Sequence, residues 1–378
     1  LGKISPIKHD LWKKFTNWGL FYNVVSLLSM VVFASIPDAA GPVLRSRTLD
    51  VKTIVDNLFN SLTKEEGAQL AKSIGVNGLE AMMDMNLYQG ETQQAQYGYA
   101  QKWTNGWFRF TQLERWTRWT RSFAAGMGRD FLIKHAKIVT DPNKLPGSYE
   151  VLTSKRYLEE LGITGKEINE WVAQGQNLKT SPKIKSALRR FVDEAIVRPN
   201  SAERPIWASD PNFALVWQLK SFYYAYGKNI VGGVLRESRT IYGNKGQIPD
   251  AMYPLIMMAL TVLPLTMIGW DLRERFKIGL AWLLPGISPA DTDYRQSQSM
   301  SSGEYWFEVI DRGGIPGKYS LLFPLFMENR RYGDPFFVPM LGPTAEKTWN
   351  LVTLDTEIPE LIPIYSNLNT SNFGGRNE

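Results

Sequence analysis

Two histidines, His9 and His135, supply the only imidazoles in the sequence, and there is no cysteine. Disulfides, thiolate zinc sites and cysteine nucleophiles are therefore excluded. A histidine-based metal site would need far more carboxylate help than two imidazoles suggest. Any Ser-His-Asp triad would have to use His9 or His135. No P-loop, dinucleotide fingerprint, Gly-x-Ser-x-Gly elbow or zinc-protease motif is present. The acidic pairs Glu65-Glu66, Glu159-Glu160 and Asp193-Glu194 fall on predicted exposed helix faces, where they solvate the surface. No set of aspartates converges with the spacing of a two-metal polymerase.

Glu237-Ser238 is the dipeptide that opens the catalytic motif of lytic transglycosylases. Those enzymes place the glutamate in a cleft and add further motif residues downstream. Here Arg239-Thr240-Ile241-Tyr242 follows on a helix flank, and the surrounding constellation is missing. The residues therefore predict no catalytic site, no bound metal and no cofactor within this chain. An enzymatic module upstream is left open. The first residue is Leu1 rather than Met, which predicts that the chain is part of a longer one.

The residues best suited to binding lie between 101 and 137. Lys102, Arg109, Arg115, Arg118, Arg121, Arg129, Lys134 and Lys137 stand against Glu114 and Asp130. Trp103, Trp107, Phe108, Phe110, Trp116, Trp119, Phe123 and Phe131 are interleaved with them. On a helix, Arg115, Arg118, Arg121 and Arg129 fall near one stripe, because steps of three and four return to the same face. Arg109 extends the candidate polyanion-binding set. Two readings fit. The face holds phosphates or lipid headgroups with aromatic anchors, or the arginines snorkel over the helix's own Trp and Phe.

The second candidate surface is apolar. Ala251 to Trp270 carries no charge, is bounded by Asp250 and Asp271, and is long enough to cross a bilayer. Pro254 and Pro264 would kink it, which a membrane tolerates when neighbours satisfy the freed backbone. Leu255, Met258, Leu260, Leu263 and Trp270 are its candidate membrane or partner contacts. A second apolar stretch, Ile278 to Leu284, predicts a helical hairpin with it. A buried core helix explains the same run. An earlier uncharged run, Phe15 to Pro37, is interrupted by Asn and Ser and fits a span or a buried helix. Pro37 is expected to end it, with a turn from Asp38 to Pro42.

The elements that position these residues are mostly helices. Leu49 to Leu62 has amphipathic spacing. Thr63 with Glu66, and Thr164 with Glu167, read as capping boxes. Residues 77–100 have helical propensity, and 141–148 reads as a loop. Residues 149–178 read as two short helices, the first ending at Gly162. Ser181-Pro182 opens a helix through Val197. Asp210-Pro211 opens one to about Tyr242, bent at Gly227 or Gly232-Gly233. Beyond 285 the chain is loop-rich, with short apolar segments, a helix from Ala345 to Leu354 and an extended tail from Ile358. The expected fold is mostly α: an irregular multi-helix assembly with long central helices and an extended C-terminal tail. The expected regions are 1–140, 141–200, 201–285 and 286–378.

Hydrophobic residues at 44% and charged residues at 21% exclude a wholly disordered chain. A mean hydropathy below zero argues against a polytopic membrane protein. The net charge of +6 favours polyanionic partners such as nucleic acid or a membrane surface. Thirteen tryptophans exceed what one helical core needs and predict interfaces, hence an oligomer or a larger assembly.

Four blocks, in order, carry a resemblance. The first is Ser35-Ile36-Pro37-Asp38-Ala39-Ala40-Gly41-Pro42-Val43-Leu44-Arg45. The second is Leu113-Glu114-Arg115-Trp116-Thr117-Arg118-Trp119, continuing to Ser122-Phe123-Ala124-Ala125-Gly126. The third is Glu203-Arg204-Pro205-Ile206-Trp207 to Asp210-Pro211, then Gln218-Leu219-Lys220-Ser221-Phe222. The fourth begins at Arg312-Gly313-Gly314-Ile315-Pro316-Gly317 and runs through Arg330-Arg331-Tyr332-Gly333 to Leu341-Gly342-Pro343-Thr344.

Together, over roughly residues 20–352, they resemble the C-terminal region of large polyvalent phage virion proteins. Many of these are internal virion (DNA-ejection) proteins of short-tailed phages, including giant virion-packaged RNA polymerases. The resemblance implies a non-enzymatic region packed in the capsid interior near the portal or tail and released with the genome. It implies contacts with other ejection, portal or tail proteins, non-specific contact with DNA, and the host envelope after ejection. The absence of disulfides and the apolar helices suit passage through a narrow channel into an envelope. Two alternatives stand beside it. One is the non-catalytic C-terminal region of a giant virion RNA polymerase. The other is a membrane-inserted helical protein on the host side.

Overall fold

A computed structural model describes residues 30–48, 50–63, 65–74, 110–176, 181–196, 224–283 and 301–316, with isolated positions between 11 and 19 and at 106 and 210. Of the described residues 83% are helical and none is in a strand, so the fold is mostly α. The helices are α1 (Val31–Ala34), a 3-10 turn (Ile36–Ala39), α2 (Ala40–Ser46), α3 (Val51–Thr63), α4 (Glu65–Ser73), α5 (Leu113–Thr140), α6 (Tyr149–Glu160), α7 (Gly165–Ala173) and α8 (Pro182–Ala195). After them come a π-helical segment (Gly227–Val231), α9 (Gly232–Lys245), α10 (Ile248–Leu283) and α11 (Ser302–Arg312).

The axis of the bundle is α5, against which α2, α3, α4, α6, α7 and α8 all pack. Its sequence explains why. From Thr120 to Gly128 every residue is buried, and small side chains let the neighbours approach. A Cβ on Gly126 would meet the Asn57 amide of α3, and one on Gly128 would lie 2.8 Å from the Phe191 ring of α8. Phe123, Met127 and Leu132 then fill the core with Leu158, Ile168, Trp171, Ile184, Leu188 and Phe191. This apolar cluster is continuous from Ala40 in α2 to Val262 in α10.

Local signals set the boundaries. Thr164 and Glu167 form the expected capping box at the start of α7, and Gly162, at φ +76, turns the chain between α6 and α7. Pro182 occupies the first turn of α8, where its missing N–H is an orphan position anyway. That helix ends at Ala195 rather than Val197. The π-helical segment begins at Gly227, one of the glycines at which a bend is expected.

Two local expectations are corrected. Residues 38–42 are not a turn: the chain stays helical from Ile36 to Ser46, because Pro37 falls in the first turn of the 3-10 segment, where proline is tolerated. Thr63 is the last residue of α3, and a second helix, α4, follows from Glu65 as expected; the Thr63–Glu66 cap lies outside the described side chains. Ile278 to Leu283 is not the second arm of a hairpin. It continues α10, a single helix of 36 residues. The charged break at 271–275 is carried within that helix by an i,i+4 pair, Arg275 Nε donating to Asp271 Oδ2 at 2.7 Å. The expected elements over 77–100 and beyond 316, and the start of the helix at Pro211, lie outside the described residues.

Candidate functional site

Three surfaces or clusters carry the chemistry singled out above. The first is α10. Met252, Ile256, Leu260, Ile268, Leu272 and Phe276 are exposed, and with Pro264 they make a row in steps of four. Met258, Val262, Thr266 and Trp270 form a buried row with the same step. At 3.6 residues per turn a step of four advances about 40°, so both rows wind round the helix. The covered row changes partner as it winds. Near its start α10 lies on α9, and Ser238 donates to the Ala251 carbonyl at 2.6 Å. Further along, Gly269 lies so close to the Phe33 carbonyl that a Cβ would meet it at 2.5 Å. Finally α11 covers Trp270: Tyr305 stacks on it with centroids 5.3 Å apart, and the Arg312 guanidinium sits 4.5 Å from its ring.

The five candidate contact residues therefore separate. Leu260 faces outward at 62% exposure, Leu255 and Leu263 are half-buried, and Met258 and Trp270 are buried. Only 28% of the most apolar window of α10 is buried inside the structure. A core helix hides most of its apolar surface, whereas this one leaves a winding apolar row uncovered. It is the one helix among the described residues long and apolar enough to cross a membrane.

The second surface is the basic face of α5. Trp116, Trp119 and Phe123 follow one another along it, Trp116 tilted against Trp119 with centroids 4.6 Å apart and Trp119 stacked on Phe123 at 6.2 Å. Trp116 Nε1 also donates to the Ser35 carbonyl at 3.2 Å. Arg115 and Arg118 are exposed at the first turns of the helix. Arg121 is buried at 5% exposure and faces Asp193 of α8. Arg129 is half-buried and pairs with Asp130 at 3.3 Å. Arg109 lies outside the described residues. The stripe thus has an outward pair and an inward member, because α5 sinks into the bundle after its second turn.

The third feature is a buried ionic cluster around Glu237. Arg156 Nη2 donates to both of its carboxylate oxygens, at 2.9 and 2.8 Å. Tyr157 Oη donates at 2.6 Å, and Arg47 Nη1 lies at 3.1 Å. The Arg47 guanidinium stacks 4.0 Å from the Tyr157 ring. Burial raises the carboxyl's pKa, but Arg47, Tyr157 and Arg156 outweigh it and hold the group below the usual carboxylate range. Such a glutamate stays ionised and makes a poor proton donor. The Glu237-Ser238 dipeptide is an anchoring element here.

Beside it, Arg45 Nε donates to Glu194 at 2.9 Å and its guanidinium sits 5.6 Å from the Phe191 ring. His135 Nδ1 lies 2.9 Å from Ser154 Oγ. Burial first, then the charges of Lys134, Arg47 and Arg45, push the imidazole down to about 3, so it is neutral at pH 7. Arg45 and Arg47 carry no motif that marks them as site residues in the sequence. The signal was Arg45 in the last turn of α2 and Arg47 just past its end, directly after the apolar run Ala40 to Leu44: charges beside a buried stretch need carboxylate partners.

Among the described residues no group of three or more His, Asp or Glu side chains is placed to hold a metal ion. Comparison with known proteins finds no matching protein-family model, no similar curated protein and no similar solved structure.

Proposed function

We propose that this chain is part of an internal virion protein that is packed near the portal or tail, leaves with the genome and engages the host envelope through α10. The observation that carries this reading is α10 itself: an uncharged stretch from Ala251 to Trp270, anchored on one side, with large apolar side chains left facing out. In water such a row is unfavourable at about 25 cal/mol per Å² of apolar surface. A bilayer, or a neighbouring protein in the packed particle, removes that cost. The four ordered blocks that resemble large phage virion proteins support the same reading. The exposed pair Arg115 and Arg118 suits storage beside DNA or approach to acidic headgroups. Within this reading the chain acts by assembly and insertion rather than by catalysis.

The test is quantitative mass spectrometry of the particles that carry the chain, before and after triggered genome release. Its peptides are expected in full particles and depleted from emptied ones. Absence from full particles, or full retention in emptied ones, contradicts the proposal.

A further inference from the structure

We infer that the Arg47–Glu237–Arg156 cluster is a latch: it fixes the α9–α10 hairpin to the helical bundle, and its loss lets the hairpin open as a unit while the bundle stays folded. This goes beyond the membrane reading, since it concerns the chain in water and holds whatever surface α10 meets.

Two kinds of contact hold the hairpin to the bundle. The helices α9 and α10 pack extensively on each other, joined through Gly246 in the left-handed conformation, at φ +66. The inner row of α10 meets α1, the 3-10 turn, α2 and α11, with Met258 and Val262 in the apolar core and Trp270 under Tyr305 and Arg312. Apolar contacts are non-directional, and another apolar surface can replace them with little loss. The contact from α9 to the bundle adds another kind to the apolar packing of Val234. Glu237 accepts hydrogen bonds from Arg156 and Tyr157 of α6 and forms an ion pair with Arg47, at the end of α2, at 3.1 Å. Directional bonds of this sort, largely out of water, are not replaced by lipid or by an apolar partner.

Two details show a built junction. Arg47 holds a left-handed backbone at φ +53, uncommon outside glycine, and from there its guanidinium lies between the Tyr157 ring and Glu237. The Glu237 side chain is only 7% exposed, and Arg47, Arg156 and Tyr157 all reach it from outside its own helix. Opening the hairpin must therefore part Glu237 from both arginines at once, which makes this one carboxylate decisive for the docked state.

The experiment is amide hydrogen exchange on the whole chain without lipid, wild type against Glu237→Gln, which keeps the side chain's size and removes its charge. Peptides of α9 and α10 are expected to exchange at least tenfold faster, with α5, α7 and α8 unchanged. Tyr157→Phe removes a single hydrogen bond, and is expected to give the same pattern at smaller amplitude; it supplies the readout if Glu237→Gln does not fold. Unchanged exchange in α9 and α10 overturns the latch. So does equal acceleration in α5, α7 and α8, which would make the cluster a support of the whole fold. Because no lipid is present, neither failure bears on the role of α10 at a membrane.

Discussion

Arg156 and Glu237 stand 81 positions apart in the chain, and one guanidinium nitrogen bridges both carboxylate oxygens. Removing the carboxylate leaves the largely buried Arg47 without the carboxylate it faces, while Arg156, 30% exposed, keeps Glu160 at 3.9 Å. Glu237→Ala is expected to destabilise the protein by about 3–5 kcal/mol in urea unfolding. Ser238→Ala, which loses one hydrogen bond to the Ala251 carbonyl, is expected to lose only about 1 kcal/mol. Equal losses at the two positions would mean that the charge cluster is not the stronger anchor.

Glycines separate by what surrounds them. A Cβ on Gly41 would overlap the Ala195 carbonyl at the end of α8, whereas one on Gly243 in α9 meets nothing within 4 Å. Gly41→Ala should lower stability by about 1–3 kcal/mol through forced separation of α2 and α8. Gly243→Ala should raise it by up to about 1 kcal/mol through helix propensity. Thermal melts of the two variants check both signs.

The protein carries two opposed pH dependences. Loss of water pushes the Asp38 carboxyl up to about 7 from its ordinary 3.8. The folded state therefore binds the extra proton, and this contribution to stability is full below pH 4 and is lost as the pH rises towards 7. Burial pushes His135 down to about 3 from 6.5, so its contribution is full above pH 6.5 and is lost as the pH falls towards 3. In urea melts across pH 3–8, Asp38→Asn should flatten the alkaline decline and His135→Gln the acid one. Parallel pH profiles for wild type and both variants would contradict this.

How far the sequence could be read depended on range. The capping box at Thr164 and Glu167 is a contact over three positions, and spacing alone revealed it. The apolar run at Ala251 was equally plain, but its continuation through the charged segment was not. There, composition suggests an end, while the Asp271–Arg275 pair lets the helix run on. Periodicity placed Arg115, Arg118 and Arg121 near one stripe but could not say where the neighbouring helix lies. The presence of α8 with Asp193 is what turns Arg121 inward. The cluster at Glu237 was invisible for the same reason, since its partners lie at distant positions in other helices.

The basic face should accordingly respond unevenly. Arg115→Glu with Arg118→Glu is expected to leave the melting temperature unchanged, to weaken binding to duplex DNA, and to flatten its salt dependence. Arg121→Glu is expected to destabilise the fold, because it sets two carboxylates against each other where α5 meets α8. Filter binding at several salt concentrations, with melts in parallel, reads both effects. Wild-type affinity and salt slope in the double variant would remove DNA from the account.

Flotation on zwitterionic liposomes tests most directly whether the outward row of α10 meets lipid, because neutral headgroups give the basic face nothing to bind. Leu260→Asp with Ile268→Asp places two charges on exposed positions, so the fold in water should be kept. Each charge costs about 3 kcal/mol near the middle of a bilayer, roughly a hundredfold in partition. The account predicts that the wild-type chain floats with the vesicles and that the double variant, with an unchanged melting temperature, stays at the bottom. Equal flotation of the two chains, or no flotation of the wild type, would contradict it.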